Sequence, residues 1–305
     1  LHSEHPQKLE TALYVVATPI GNLRDITLRA LEVLDSADVI AAEDTRNTGY
    51  LLAHHNIIAN RLMAVHQHNE RGAAEKVITL LNAGQSVAFV SDAGTPAVSD
   101  PGALLVQAVR AAGLRVIPIP GANAAIAALS AAGTLSTSGL AEPHFLFFGF
   151  LPNKSAARRA ALHTLSSLPY HMVFYESPHR IVECVTDLCA VLGGERQVVL
   201  AREITKMFES IHSCALQDAE AWLLADNDRQ RGEFVVMVSG ALPQSGLSTE
   251  TINTLSLLLD ELPLKQAVQL AAKICGANRS ELYQSALQMK NQDHDHGDPI
   301  RSDEN

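Results

Sequence analysis

Four short stretches concentrate ionisable side chains directly beside apolar runs: Glu43-Asp44-Thr45-Arg46, Glu176-Ser177-Pro178-His179-Arg180, Arg202-Glu203-Ile204-Thr205-Lys206 and Arg231-Gly232-Glu233. A carboxylate or imidazole so placed can accept a proton from a hydroxyl, and Glu43, Asp44, Glu176, His179 and Glu203 are the candidates. The cations Arg46, Arg180, Arg202 and Lys206 suit phosphate, which they would position rather than read, but they suit ion pairs with the neighbouring carboxylates equally well. A fifth stretch, Ser91 to Gly102, brings Asp92 and Asp100 to one loop, with Gly94, Gly102, Pro96 and Pro101 shaping its backbone. The same loop can be read as an ordinary helix start, with Asp100 as cap and Pro101 in the first turn. His66 and His68 have a metal-pair spacing, yet no carboxylate or cysteine cluster completes a ligand set, and no metal is expected.

The elements that would carry these stretches follow from hydrophobic periodicity. Apolar runs at 13–17, 38–42, 63–65, 86–91 and 114–119 read as strands, separated by amphipathic segments that read as helices. One of those helices starts near Asp25-Ile26-Thr27 and turns Leu28, Leu31 and Leu34 inward. Strand and helix alternating in this way predict a parallel, doubly wound sheet whose strand ends form a ligand-bearing rim. A second α/β half opens with Phe145–Phe150, apolar enough to predict a central strand, and continues with strands at 172–175, 198–201 and 234–238. Charged residues at the ends of three of these strands predict a polar cleft. Helical spacing without strands follows from Thr249, where 264–275 and 278–287 flank Gly276 and resemble a helix-turn-helix, a shape used on nucleic acid and in plain packing alike. The predicted organisation is 12–121 and 122–242 as two α/β domains with a cofactor cleft between them, 249–289 as a helical unit, and 290–305 as a disordered polar tail.

Composition removes several classes of function. With 305 residues, 47% hydrophobic and 18% charged, the chain can bury more than one core, and no apolar run approaches the ~18 residues of a membrane span. The polar start, Leu1 to Lys8, lacks the order of a secretion signal and predicts a cytoplasmic protein. Four scattered cysteines, Cys184, Cys189, Cys214 and Cys275, suit free thiols in a reducing compartment. A formal charge of −10 argues against a general polyanion binder, so a nucleic-acid substrate requires local basic surface.

Taken in order, Thr18-Pro-Ile-Gly-Asn22, Glu43-Asp-Thr-Arg46, Ser91-Asp-Ala-Gly-Thr-Pro96, Pro118-Ile-Pro-Gly121, Phe148-Gly-Phe-Leu-Pro152, Tyr175-Glu-Ser-Pro-His-Arg180, Arg202-Glu-Ile-Thr-Lys206 and Gly232-Glu-Phe-Val235 resemble the tetrapyrrole methylase-like family, and within it the branch that acts on ribosomal RNA. Porphyrin-pathway members carry a Gly-x-Gly-x-Gly first loop and a Gly-Asp-Pro loop, and this sequence departs from both, which weakens the case for a tetrapyrrole substrate. The resemblance implies a homodimeric S-adenosylmethionine-dependent enzyme that methylates the ribose 2′-oxygen of a decoding-region cytidine in 16S rRNA of the small ribosomal subunit. It carries cofactor contacts over to Pro19, Asp92, Ala93, Gly94, Val98, Gly121, Ala122, Asn123, Phe150, Leu151, Glu233, Phe234 and Val235. Glu176, Glu43 and Lys206 then stand as catalytic candidates, and Arg46, Arg180, Arg202 and Lys206 as RNA contacts. A small tetrapyrrole-like substrate and a non-catalytic role in ribosome assembly are the competing readings.

Overall fold

Strands with an apolar side chain at every position must be covered on both faces, and of the first five those at 13–16, 39–42 and 87–90 are buried almost throughout, whereas the edge strands at 62–64 and 116–119 are partly exposed. In the computed structural model, which describes residues 8–65, 70–133, 144–241 and 247–294, β1 (Leu13–Val16), β2 (Val39–Ala42), β3 (Leu62–Ala64), β4 (Val87–Val90) and β5 (Val116–Ile119) form one parallel sheet in the order β3-β2-β4-β1-β5. Alternate residues of each strand face opposite cores. Tyr14, Val16, Ile40 and Val90 meet Val33 and Leu34 of α1 (Leu28–Ser36) and Leu52 of α2 (Thr45–His54). Leu13, Val39, Val87 and Phe89 meet Val77 and Leu81 of α3 (Glu70–Asn82) and Leu105 and Val109 of α4 (Ala103–Ala111). Thr27 caps α1 by accepting from the Ala30 amide, so the inward stripe is Ala30, Val33 and Leu34, and Leu28 is 72% exposed rather than buried as its spacing predicts.

The second sheet is mixed. β6 (Phe145–Phe150), β7 (His171–Glu176), β8 (Gln197–Arg202), β9 (Ser210–Ala215) and β10 (Phe234–Val238) run in the order β6-β7-β10-β8-β9, with only β6 and β7 parallel. One face is covered by α5 (Ala124–Ala132), through Ala125 and Ala128 against Val173, Val199 and Met237. The other is covered by α6 (Ser155–Leu165), α7 (Ile181–Leu192) and α8 (Leu216–Leu224). Contrary to the expectation from its composition, β6 is an edge strand, and Phe145, Phe148 and Phe150 are 45%, 38% and 53% exposed. Its register slips between Phe147 and Gly149, a bulge of the kind that bends an edge away from regular pairing.

By contact, the chain divides into Leu1–Ala241, which holds both sheets, and Leu242–Asn305. The second unit packs α9 (Thr249–Glu261), α10 (Leu264–Cys275) and α11 (Arg279–His294) around Leu255, Val268, Ala271, Leu282 and Ala286. Gly276 ends α10 in the left-handed region, at φ 66°. Among the described residues no helix is long and apolar enough to cross a membrane. The His66–His68 pair, most of the Gly133–Gly139 passage and the tail beyond residue 294 lie outside the described residues.

Candidate functional site

Three loops at the carboxyl end of the first sheet are tied to one another. Thr18 and Gly94 exchange backbone hydrogen bonds of 2.9 and 3.0 Å, the Thr18 hydroxyl donates to Ser91 O at 3.2 Å, and Thr95 donates to Ala122 O at 3.1 Å. Asp100 does not cap the helix that follows. The buried carboxylate of Glu70 accepts from the amides of Gly102, Leu104 and Leu105 at 2.8–3.1 Å, and Asp100 is thereby left for the loop. Ala97 and Ser99 hold left-handed backbone, φ 66° and 64°, a strain of about 1–3 kcal/mol each that persists only where the surroundings impose it.

These loops face the second sheet across a cleft of about 320 Å³. Ile20, Ala93, Gly94, Thr95, Val98, Ser99 and Asp100 line one side, with Asn123 and Ala124 at the start of α5. Phe150, the 175–178 turn, Ala201, Ile204, Lys206 and Glu233–Val235 line the other. Of the expected cofactor contacts, Ala93, Gly94, Val98, Asn123, Phe150, Glu233, Phe234 and Val235 are therefore brought together. Pro19, Asp92, Gly121, Ala122 and Leu151 do not line the cleft. Asp92 is occupied in joining loops, accepting from the Asp44 amide and from Asn47 Nδ2, both at 3.1 Å.

The charged candidates separate by surroundings. Glu43 accepts from the Asp92 amide at 3.3 Å outside the cleft lining, and burial pushes its carboxyl above the usual range. Asp44 caps α2 through the Arg46 amide at 2.8 Å, and hydrogen bonds from Arg46 hold its carboxyl down at about 2. The Arg46 side chain remains 84% exposed. Glu176 reaches the cleft wall, but its side chain has no solvent exposure: Oε1 accepts from the Ser177 amide at 2.8 Å and Oε2 faces Arg180 at 3.2 Å. Arg180 in turn donates to Leu151 O, Pro152 O and Asn153 Oδ1, so the pair fastens the 151–153 loop to the end of β7. Arg202 donates to Arg231 O at 3.3 Å, away from the cleft lining.

Lys206 is clamped. Its Nζ donates to Glu203 Oε1 at 2.8 Å and to Glu233 Oε2 at 2.7 Å, and the Glu233 amide donates back to Glu203 Oε1 at 2.9 Å. A Cβ on Gly232, at φ 83°, would stand 2.4 Å from Glu203 Cγ, so only glycine admits this carboxylate. The Lys206 stem lies against the loop after β1, where a Cβ on Gly21 would come within 2.4 Å of Lys206 Cγ. Burial works to lower the Lys206 pKa, but hydrogen bonds to Glu203 and Glu233 outweigh it and raise it.

Two cleft residues escape sequence reasoning. Tyr175 reads as one more apolar strand position, yet its hydroxyl accepts from the Ala125 amide at 3.2 Å while its ring packs edgewise on Phe147 and Phe150. Asp100 reads as a cap because Asp-Pro is a good helix start, and nothing local signals that Glu70 takes that role. Desolvation, then the nearby charge of Glu43, pushes the Asp100 carboxyl up to about 6. A carboxyl raised in the folded state favours folding most below its ordinary value of 3.8 and loses that contribution as pH climbs through 6. Asp100→Asn is accordingly expected to exceed the parent in stability by about 1–2 kcal/mol at pH 8 and to show no such gain at pH 3, as read by thermal unfolding at both pH values.

The cleft suits an elongated ligand with apolar parts and a positive centre. Lys206 is neutralised by its two partners, whereas Asp100 has no ion pair among the described residues. Among the described residues no group of His, Cys, Asp and Glu could hold a metal ion.

Residues 12–220 match the family described as Tetrapyrrole (Corrin/Porphyrin) Methylases, and residues 245–290 match the RsmI C-terminal HTH domain. The chain is 50% identical over 279 residues to the ribosomal RNA small subunit methyltransferase I of Escherichia coli O157:H7, covering 91% of this chain and 95% of that one. It is 49% identical over 279 residues to the protein of the same name from Pseudomonas aeruginosa, covering 90% and 96%. Among solved structures it is similar to a uroporphyrin-III C-methyl transferase from Thermus thermophilus complexed with S-adenyl homocysteine, with a TM-score of 0.53 and 18% identity over 75% of this chain and 97% of that one. That last likeness is one of fold: paired α/β layers of the same architecture.

Proposed function

The chain belongs to the tetrapyrrole methylase family, and from that premise we propose that it transfers a methyl group from S-adenosylmethionine to the ribose 2′-oxygen of a decoding-region cytidine in 16S rRNA, acting on the small ribosomal subunit. The observation that carries the substrate is the 50% identity, over nearly the whole of both chains, to a protein named for methylation of small-subunit ribosomal RNA. The geometry supports the transfer itself. When bound, the cofactor supplies an electrophilic methyl group on a positively charged sulfur. The residues that would hold it are present: backbone at Ala93–Thr95 and Glu233–Val235, apolar surface at Val98 and Phe150, the Asn123 turn, and a carboxylate-rich wall that tolerates positive charge. Rigid loops matter here because aligning an acceptor oxygen with a methyl carbon can lower a barrier by up to ~7–11 kcal/mol.

The rest of the reading concerns encounter with RNA. Arg46 offers an exposed cation for phosphate, and the helical unit at the carboxyl end supplies further docking surface. Because the chain as a whole carries −10, docking depends on local shape and charge, and an assembled subunit is the expected substrate in preference to naked RNA. A homodimer working in the cytoplasm completes the proposal. The experiment supplies purified protein and labelled cofactor to small subunits from cells lacking this gene, then maps the label by mass spectrometry. A 2′-O-methylated decoding-region cytidine, with short free RNA methylated at least tenfold more slowly, is the expected result. Label entering a tetrapyrrole without RNA, or no label on the subunit, would contradict it.

A further inference from the structure

We propose that the loop joining β8 to β9 is a stacking platform for RNA, on which Phe208, with Met207 beside it, receives an unpaired base next to the target nucleotide while Arg231 on the adjoining loop meets its phosphate, an assignment that rests on the methyltransferase reading above. Met207 is 90% exposed and Phe208 66%, two consecutive apolar side chains held in water. The residue just before them, Lys206, lines the cleft, so the pair stands at its rim. Ile211 continues the apolar character onto the sheet. It is 40% exposed and pairs in the β8–β9 ladder with Ala201, a cleft-lining residue, so the two share one face.

The loop is ordered rather than slack. Glu203 and Thr205 hold left-handed backbone, φ 53° and 69°, and for a β-branched residue that region is an outlier. Three hydrogen bonds impose it: the Lys206 amide donates to Glu203 O at 2.9 Å, the Glu209 amide to Lys206 O at 3.2 Å, and the Thr205 amide to Glu209 Oε2 at 2.6 Å. Lys206 Nζ fastens the base of the loop to Glu203 and Glu233. Strained backbone that displays Met and Phe to water brings the fold itself no apolar burial. Strain of this kind gathers at ligand clamps, and a side chain already fixed in place loses little freedom on binding.

The surroundings select the occupant. An exposed phenylalanine ring stacks the flat face of any base, and RNA recognition of this kind uses unpaired bases splayed from the strand. A cation for phosphate stands on the neighbouring loop: the Arg231 side chain is exposed, and its partner Asp228, at 2.9 Å, is exposed as well, so water screens the pair and leaves the guanidinium available. The two loops adjoin, since Arg202 donates to Arg231 O at 3.3 Å and the Glu203 amide to Glu233 O at 2.9 Å. The nearby acids are otherwise engaged, Glu209 with the Thr205 amide and Glu233 with Lys206. Two apolar side chains between a cation and the cleft match one nucleotide, whereas a stable protein interface buries about 800 Å² on each partner.

The test compares full-length wild type, Phe208→Ala and Phe208→Trp on small subunits from cells lacking this gene, reading kcat, the KM for subunits and the calorimetric Kd for S-adenosylhomocysteine. Phe208→Ala is expected to raise KM about tenfold, equivalent to about 1.4 kcal/mol and inside the range of one stacked base, with kcat and Kd each within about threefold of the parent. Phe208→Trp should keep the parent KM, because a larger ring restores the stack. Arg231→Gln should also raise KM and flatten its dependence on salt. With p-benzoylphenylalanine in place of Phe208, irradiation should cross-link the chain to 16S rRNA beside the modified nucleotide. An unchanged KM in Phe208→Ala overturns the proposal, and so does cross-linking to a second copy of the chain or to a ribosomal protein instead of RNA. A cofactor Kd raised about tenfold in Phe208→Ala overturns it too, by assigning the ring to support of the cleft. If wild type leaves the subunit unlabelled, the methyltransferase reading fails and the platform with it, whereas an active wild type beside an equally active Phe208→Ala defeats the platform alone.

Discussion

Replacing Lys206 by Met is expected to lower kcat/KM on small subunits about 100-fold, through misplacement of the cleft wall, while costing the fold only about 1 kcal/mol. The ammonium pairs with both Glu203 Oε1 and Glu233 Oε2, at 2.8 and 2.7 Å, and it closes a loop in which Glu203 and Thr205 sit at φ 53° and 69°. A β-branched residue held left-handed is an outlier that relaxes once its restraints go. With methionine, two carboxylates face each other without a cation, and the loop has reason to open. The edge Glu233–Val235 and the Gly21 loop, which both touch this clamp, then lose their fixed spacing. The stability cost is small because Glu233 is 78% exposed and water can take over much of its charge. Cofactor affinity measured by calorimetry should fall together with the rate. The double variant Lys206→Met/Glu203→Gln relieves the repulsion and should regain stability but not activity. The clamp also has a pH range. Burial opposes ionisation of Glu203, but Lys206 and the Glu233 amide lower its pKa, so its contribution is present above the ordinary Glu value and is lost as pH falls below it. Lys206, raised, loses its part only as pH rises past the ordinary Lys value. Unchanged cofactor Kd and kcat/KM in Lys206→Met would refute the argument.

How much of this was legible before folding depends on whether a residue's role is set by its neighbours in the chain or by residues far away. The first sheet is readable because Val87–Val90 and Val39–Ala42 are buried at every position, and continuous apolar runs of that length signal a two-sided strand. β9 is not, since Ser210–Ala215 pairs only with β8 at the sheet edge and is buried at none of its positions. β6 misleads in the opposite sense: its phenylalanines imply a central strand, yet several lie exposed on an edge. In the site, loops at strand ends are foreseeable, and eight of the thirteen residues carried over as cofactor contacts do line the cleft. Individual side chains are harder. Arg180 looks like a free cation beside a catalytic carboxylate, but its reach across 27 residues to Asn153 commits it to the protein. Asp100 looks like a cap until Glu70, 32 residues before Gly102, is found in that role.

The same distinction marks Arg158, which the sequence places on a helix without hinting that it is wholly buried, and its partner Asp187 is where the largest loss of stability is expected. Asp187→Ala should destabilise the chain by about 3–5 kcal/mol, a large part of the ~5–15 kcal/mol that a domain commonly has. Arg158 is 0% exposed, and its Nε donates to Asp187 Oδ2 at 2.7 Å; Arg159 and Ser155 donate to the other oxygen at 2.5 and 3.0 Å. Take the carboxylate away and the guanidinium keeps only Asn153 O at 3.3 Å and the exposed Glu183 at 3.4 Å. The penalty is the uncompensated buried charge, not the value of the pair itself. Arg158→Met/Asp187→Leu, which removes both charges and fills the space, is therefore expected to recover most of the loss. Burial raises the Asp187 pKa, but donors from Arg159, Arg158 and Ser155 overcome it and leave the carboxyl below its ordinary 3.8. Its stabilisation is thus complete above that value and disappears as pH falls through the lowered one, so the gap between parent and Asp187→Ala should narrow only in strong acid. Urea unfolding of the full chain at pH 7 and pH 2 measures both claims, and an Asp187→Ala midpoint equal to the parent at pH 7 would refute them. Because Asp187 sits on α7, one turn and more beyond the Glu176–Arg180 pair, the molecules that stay folded should retain their methylation rate, separating this loss from that of Lys206.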